Sequence, residues 1–201
     1  MTRFVEQAIA KAGLAQILAA RRAGDLETVR ARMSSWAQAD LLALGAVADA
    51  VRGDDVGAVV HIHDRGAASS ASSASSAADI VWVETSPDVS ELDFLRAVAV
   101  ARIAARKSAR IGVDWSERGM ELAQVALGFG ASDLRGVITR KSGLPILEGE
   151  RLKLKGQGMV ELRSIKKQEI GALVRYAGRL PVFDDEVVVP PARSSEEVAG
   201  V

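Results

Sequence analysis

The sequence predicts an α/β protein with a parallel sheet and flanking helices. Three apolar runs of strand length occupy residues 58–63, 80–83 and 110–114. Segments with apolar residues three or four positions apart, the period of an amphipathic helix, precede the first run and follow the other two. Strands that alternate with helices through short connections favour parallel βαβ packing.

The residues before the first strand are predicted to form three helices. The first covers residues 3–22 and ends before Gly24. Its apolar repeat consists of Leu14, Ile17, Leu18 and the stem of Arg21. Asp25 is expected to cap a second, short helix that runs through Met33. The third helix covers residues 37–52, and its predicted apolar stripe consists of Leu41, Leu42, Gly45 and Ala48.

The second half of the chain repeats the alternation of strand and helix. The run Ser90-Glu91-Leu92-Asp93 fits a capping box that begins a helix reaching about Ala105. Ser116 is expected to cap the helix after the third strand, and the predicted apolar face of that helix consists of Leu122, Val125, Ala126 and Phe129. A last helix follows Ser164 and ends at Gly178, with an apolar face of Ile170, Leu173, Val174 and Ala177.

Two segments interrupt this pattern. Residues 66–78 read GAASSASSASSAA, which has too little apolar surface to offset the entropy of ordering and predicts a flexible linker. In residues 151–163, apolar and basic side chains alternate around a Gly-Gln-Gly turn, which predicts a β-hairpin. The predicted organisation is an N-terminal unit over residues 1–65, the linker, a second unit over residues 79–183 and a flexible tail over residues 184–201.

The composition argues against several classes of function. The 26 basic and 26 acidic residues balance, and aromatic residues make up only 4%, so nucleic-acid binding is not expected. The sequence has no run that would span a bilayer and no recognisable signal peptide, which predicts a cytoplasmic protein without a membrane partner. The chain contains no cysteine, which excludes disulfides, thiolate metal sites and cysteine-ligated iron–sulfur clusters.

Polar side chains gather where the predicted strands end, which is where ligands bind in parallel α/β sheets. The candidate ligand-binding residues are His61, His63, Asp64, Glu84, Asp114 and Trp115. Alternation places both imidazoles on one strand face, so one interpretation is a metal-dependent enzyme that uses them with Glu84 and Asp114. The other interpretation is structural: polar side chains at a strand end, an acid at a helix N-terminus and a packed tryptophan.

A basic cluster covers the predicted hairpin and the start of the last helix. Its members are Arg151, Lys153, Lys155, Arg163, Lys166 and Lys167. Such a run is typical of a solvated hairpin face, and the alternative is an adaptor that binds nucleic acid or another protein through this cluster.

Three stretches of the chain together resemble one enzyme family. They are residues 41–52, residues 94–134 and residues 170–182. The second is the most specific, because Gln124 and the turn Gly128-Phe129-Gly130 follow a helix in one order. In this order the stretches resemble the radical S-adenosylmethionine enzymes of the futalosine route to menaquinone, namely aminofutalosine synthase and dehypoxanthine futalosine cyclase.

The resemblance implies a βα barrel in which three cysteines after the first strand hold a [4Fe–4S] cluster that cleaves S-adenosylmethionine. In this chain the Ser/Ala segment at residues 66–78 stands where those cysteines would follow, and no residue matches a cluster ligand. The expectation is therefore a shortened, partial barrel-like sheet with no [4Fe–4S] cluster and no other cofactor.

The expected function is that of a catalytically inactive relative, a binding or regulatory partner linked to menaquinone biosynthesis. Three predicted strands cannot close a barrel, so their edges need cover. A homo-oligomer or a complex with a full-length radical S-adenosylmethionine relative would supply that cover. The alternatives are the metal-dependent enzyme and the adaptor described above.

Overall fold

A computed structural model describes this protein over residues 2–65, 79–139 and 165–184. The linker expected at residues 66–78, the hairpin expected at residues 151–163 and the tail beyond residue 184 lie outside the described residues. Those three expectations therefore stay predictions.

Five helices precede the first strand. They are α1 (Arg3–Lys11), α2 (Ala15–Arg22), α3 (Leu26–Ala31), α4 (Met33–Trp36) and α5 (Leu41–Val56). The single helix predicted over residues 3–22 is wrong, because Gly13 adopts a φ of +73° and separates α1 from α2. The predicted apolar repeat is confirmed, since all four of its members are buried: Leu14, Ile17, Leu18 and Arg21.

Caps define the ends of the next helices. Asp25 caps α3 as predicted, because its carboxylate accepts a hydrogen bond from the Thr28 N–H at 3.0 Å. Asp40 caps α5 in the same way, so this helix begins at Leu41 rather than at residue 37. Leu42 is 75% exposed, which contradicts its predicted place in the apolar stripe, and the buried face of α5 includes Leu44, Val47 and Val51 instead.

The strands confirm the predicted α/β fold with a parallel sheet and flanking helices. They are β1 (Val59–Asp64), β2 (Ile80–Trp82), β3 (Arg110–Asp114), β4 (Asp133–Gly136), β5 (Ile138–Thr139), β6 (Ile165–Lys166) and β7 (Leu180–Phe183). Five of them form one parallel sheet in the order β2-β3-β4-β1-β7, and β5 and β6 form a separate parallel pair. The expectation of three strands is wrong, because β4 carries one apolar side chain and β7 contains Pro181, so neither shows a strand pattern.

The remaining helices connect and follow these strands. They are α6 (Glu91–Ala104), α7 (Trp115–Arg118), α8 (Met120–Ala126) and α9 (Lys167–Tyr176), with a 3-10 helix (Leu127–Phe129) after α8. Ser90 caps α6 as predicted, since its hydroxyl accepts from the Asp93 N–H. The predicted cap at Ser116 is wrong, because Asp114 accepts from the Ser116 N–H and caps α7. Val125 is 48% exposed and does not belong to the buried face of α8.

One face of the five-stranded sheet packs into the hydrophobic core. The fully buried strand side chains on this face are Val60, Ile62, Ile111, Val113 and Leu134, and they share a core cluster with α5, α6 and α8. Successive strand residues point to opposite faces, so the alternate residues form a second face, and that face is largely polar. Within the described ranges, no helix is long and apolar enough to cross a membrane.

Candidate functional site

The second face of the sheet carries a cluster of charged and aromatic side chains that we call the polar sheet face. Its members are His61, His63, Trp82, Arg110, Asp114, Asp133 and Arg135. The strand register brings them together, because His61 lies opposite Asp133 and Asp114 lies opposite Arg135. Four of the five strands, β2, β3, β4 and β1, contribute to this surface.

Asp133 is the buried centre of the first half of this face. Its Oδ1 lies 2.8 Å from His63 Nε2 and accepts a hydrogen bond from Arg110 Nη2 at 2.5 Å. Its Oδ2 accepts from the Ser132 hydroxyl at 2.9 Å. The Asp133 side chain has no exposed surface, so its charge is balanced by these neighbours rather than by bulk solvent.

His63 bridges two carboxylates. Its Nδ1 lies 2.8 Å from Oδ2 of Asp184, which follows β7, while its Nε2 faces Asp133. An ionised carboxylate only accepts hydrogen bonds, so both contacts are satisfied when the ring is doubly protonated. Burial lowers the pKa of His63, but the hydrogen bond with Asp133 and the negative charge of Asp184 outweigh burial and leave this pKa raised.

His61 responds in the opposite direction. Burial lowers the pKa of His61, and the positive charge of Arg110 lowers it further against the weaker attraction of Asp133. The pKa values of two imidazoles on one strand face are therefore shifted in opposite directions, downward for His61 and upward for His63.

Arg135 binds the acidic side chains in the second half of the polar sheet face. Its Nε donates to Asp114 Oδ2 at 2.8 Å, and its Nη2 donates to Glu84 Oε1 at 3.1 Å. Asp114 Oδ2 also accepts from Arg65 Nη1 at 2.9 Å. The Asp114 side chain is 4% exposed whereas Glu84 is 68% exposed, so the buried acid fixes the guanidinium and the exposed acid lies at the rim.

Trp82 lies across the middle of the polar sheet face. Its ring packs over Gly112 of β3, where an added Cβ would overlap the indole. The Arg135 guanidinium carbon lies 4.3 Å from the ring centroid, which is a cation–π contact. The His63 ring meets the indole edge-on at 5.5 Å between centroids. Gly112 therefore allows the Trp82 indole of β2 to contact side chains of β4 and β1.

The structure separates the six predicted site residues. His61, His63 and Asp114 lie on the polar sheet face and Glu84 lies at its rim, but Glu84 and Asp114 bind Arg135 rather than approach an imidazole. Asp64 lies on the other strand face, where its Oδ1 accepts from the Ile138 N–H at 3.3 Å. Trp115 is fully buried against Gly136 and belongs to the core.

Sequence reasoning missed four members of the polar sheet face and one residue, Asp184, that contacts it. They are Trp82, Arg110, Asp133, Arg135 and Asp184. The available signal was the run of charged residues around Leu134, which becomes informative once this segment is placed as a strand between β3 and β1.

The geometry suits the binding of polar or acidic groups. Among the described residues, no group of three or more His, Asp or Glu side chains is placed to hold a metal ion, and both nitrogens of His63 already face carboxylates. Arg110 Nε is buried without a hydrogen-bond partner in the described part of the chain. Arg110, Arg135 and His63 remain 18–22% exposed, so donors held in place by buried acids reach the surface.

Comparison with known proteins gave no assignment: no protein-family model and no curated protein matches this chain.

Proposed function

We propose that this chain is a non-catalytic binding protein, a shortened relative of the futalosine-pathway radical S-adenosylmethionine enzymes that serves as a binding or regulatory partner in menaquinone biosynthesis. The observation that carries the proposal is the polar sheet face, whose arginine and histidine donors are held by buried carboxylates and remain partly exposed. Such donors need no reorganisation on binding.

The sheet supports the proposal because its two faces are arranged like those of part of a βα barrel. In a closed βα barrel, helices cover the outer face of the strands and the inner face is filled by side chains from neighbouring strands. Here five strands pack their apolar face against helices, and the face that corresponds to a barrel interior carries ion pairs and one indole. Eight strands close such a barrel, so five leave edges that a partner would cover.

Either a second copy of this chain or a full-length, cysteine-containing relative fits this role. Size-exclusion chromatography with light scattering distinguishes the two occupants. A concentration-dependent dimer identifies a second copy, and co-elution with the purified relative identifies the other. The chain eluting as a monomer at every concentration and apart from the relative would contradict the proposal.

A charge reversal at the rim tests whether the polar sheet face is the contact. Glu84 is 68% exposed, so Glu84→Lys changes the face without disturbing the core. We expect this variant to weaken assembly by at least about fivefold, which corresponds to about 1 kcal/mol. The matched control is Glu6→Lys at an exposed position of α1, which should leave assembly unchanged.

The non-catalytic part of the proposal rests on the sequence. The 201 residues contain no cysteine, so the cluster ligands that the resemblance implies have no counterpart. We expect anaerobic reconstitution with iron and sulfide to load no stoichiometric cluster and to produce no cleavage of S-adenosylmethionine. Stoichiometric iron and sulfide on the desalted chain would contradict this expectation.

A further inference from the structure

A cleft of about 540 Å³ lies at the end of the molecule away from His63. It is formed where α2 ends, where α3 begins, and where α5 and α6 lead into the amino ends of β1 and β3. The side chains that matter for its chemistry are Arg21, Arg22, Leu26, Val51, Asp55 and Lys107. Its volume lies within the range of small-molecule sites.

A buried guanidinium with an unused donor lines this cleft. The Arg21 side chain is 4% exposed, and its Nη2 donates to Asp55 Oδ2 at 2.5 Å. Its Nε is buried and has no hydrogen-bond partner among the described residues. A buried N–H without an acceptor costs free energy, and a ligand whose acceptor reaches this N–H would remove that cost.

The charges around the cleft favour an anion. The two acidic groups are already paired, Asp55 with Arg21 and Asp54 with Arg22 at 2.8 Å. Lys107 is exposed at the rim and forms no ion pair with a described residue within 4.0 Å.

Behind the cleft lie further cations. Burial lowers the pKa of Arg102 to about 10, and the charges of Arg52 and Arg21 act in the same direction against Asp55 and Asp133. Burial also raises the pKa of Asp55 despite the attraction of Arg21 and Arg102. Arg52 is itself paired with Asp49 at 3.0 Å, so the excess charge is that of the lining, where three cations, Arg21, Arg22 and Lys107, face two aspartates.

We propose that this cleft is a binding site for a small organic anion, separate from the polar sheet face. A carboxylate or phosphate group accepts from Arg21 Nε and pairs with Lys107, while an apolar body contacts Leu26 and Val51. Both head groups share the chemistry that the donors recognise, and their relative affinities show which one the site prefers.

Titration with three probes of equal chain length tests the site. Hexanoate and hexyl phosphate carry the two anionic heads, and hexanamide carries a neutral one. We expect a saturable shift of the Arg21 Nε–H resonance in NMR spectra with at least one anion and none with the amide. Lys107→Ala should weaken the binding of that anion by about two- to fivefold, because a charge contact that solvent partly screens is lost.

The control variant is Lys11→Ala, which removes an exposed lysine at the end of α1 and should leave the affinity unchanged. Lys107 is exposed, so we expect its replacement to leave the stability of the fold unchanged. The absence of an Arg21 shift with both anions, equal binding of hexanamide, or an unchanged affinity in Lys107→Ala would each overturn the proposal.

Discussion

Asp133 connects three strands of the sheet through a single carboxylate. It belongs to β4, and its Oδ1 is shared by His63 of β1 and Arg110 of β3. The sequence could predict that His61 and His63 lie on one face, because backbone alternation alone decides it. It could not predict Asp133 as their neighbour, because that contact depends on the register between β1 and β4.

Asp133→Asn tests the role of this carboxylate. The substitution keeps the shape of the side chain but leaves the partly buried His63 and Arg110 without their shared negative charge. We expect the free energy of unfolding in urea to fall by about 3 kcal/mol. Asp184→Asn removes the 51% exposed partner of His63 and should cost less than about 1 kcal/mol, since solvent screens that pair. Equal losses would contradict the account.

The two histidines should titrate on opposite sides of the ordinary imidazole pKa of about 6.5. NMR titration of the imidazole protons is expected to give a raised pKa for His63, because Asp133 and Asp184 stabilise its protonated form, and a lowered pKa for His61, because burial and Arg110 disfavour its protonated form. Coincident titration of the two rings would show that the bridge is not formed in solution.

These shifts set the pH dependence of stability. The stabilisation from His63 is fully present below pH about 6.5 and is lost as the pH rises through the raised pKa of the folded state. His61 acts in the opposite sense, because its stabilisation is present above pH about 6.5 and is lost as the pH falls through its lowered pKa. His63→Gln should therefore abolish the loss on the alkaline side and keep the loss on the acidic side.

At the scale of elements, β2 and β3 depend on each other through one glycine. Trp82 packs over Gly112, and the same indole contacts Arg135 and His63. The apolar runs of β2 and β3 predicted both strands. They could not predict the contact between Trp82 and Gly112, because a glycine within a strand does not indicate which side chain packs over it. The sequence did not predict β4 and β7 for a similar reason. These segments are strands because they pair with β1, rather than because of their own strand propensity.

Gly112→Ala should destabilise the sheet, because the new Cβ overlaps the Trp82 ring and forces it away from Arg135. We expect a loss of about 1–3 kcal/mol in the free energy of unfolding. The matched control is Gly53→Ala in α5, where nothing lies within 4 Å of the added Cβ. That variant should gain about 0.5–1 kcal/mol from the higher helix propensity of alanine. Destabilisation of both variants to the same extent would count against the packing described for Trp82.

At the scale of the whole molecule, the sheet has an apolar face that helices cover and a polar face that stays partly exposed. The alternation of helix and strand predicted this α/β architecture correctly, because hydrophobic periodicity reports which faces are buried. The hydrophobic pattern could not predict the number and order of the strands, because strand order is set by long-range contacts between β1, β4 and β7. The relation to futalosine-pathway enzymes and the binding role remain proposals that solution experiments decide.

Trp82 offers the most direct test of that role. Trp36 and Trp115 are buried, so Trp82 is the one partly exposed indole of the three in the chain. Fluorine NMR of the chain labelled with 5-fluorotryptophan can follow each indole while the chain self-associates or binds a full-length relative. We predict that assembly shifts the Trp82 resonance and removes its response to exchange of H₂O for D₂O, with the other two unchanged. An assembled form in which Trp82 stays as accessible as in the monomer would contradict binding through the polar sheet face.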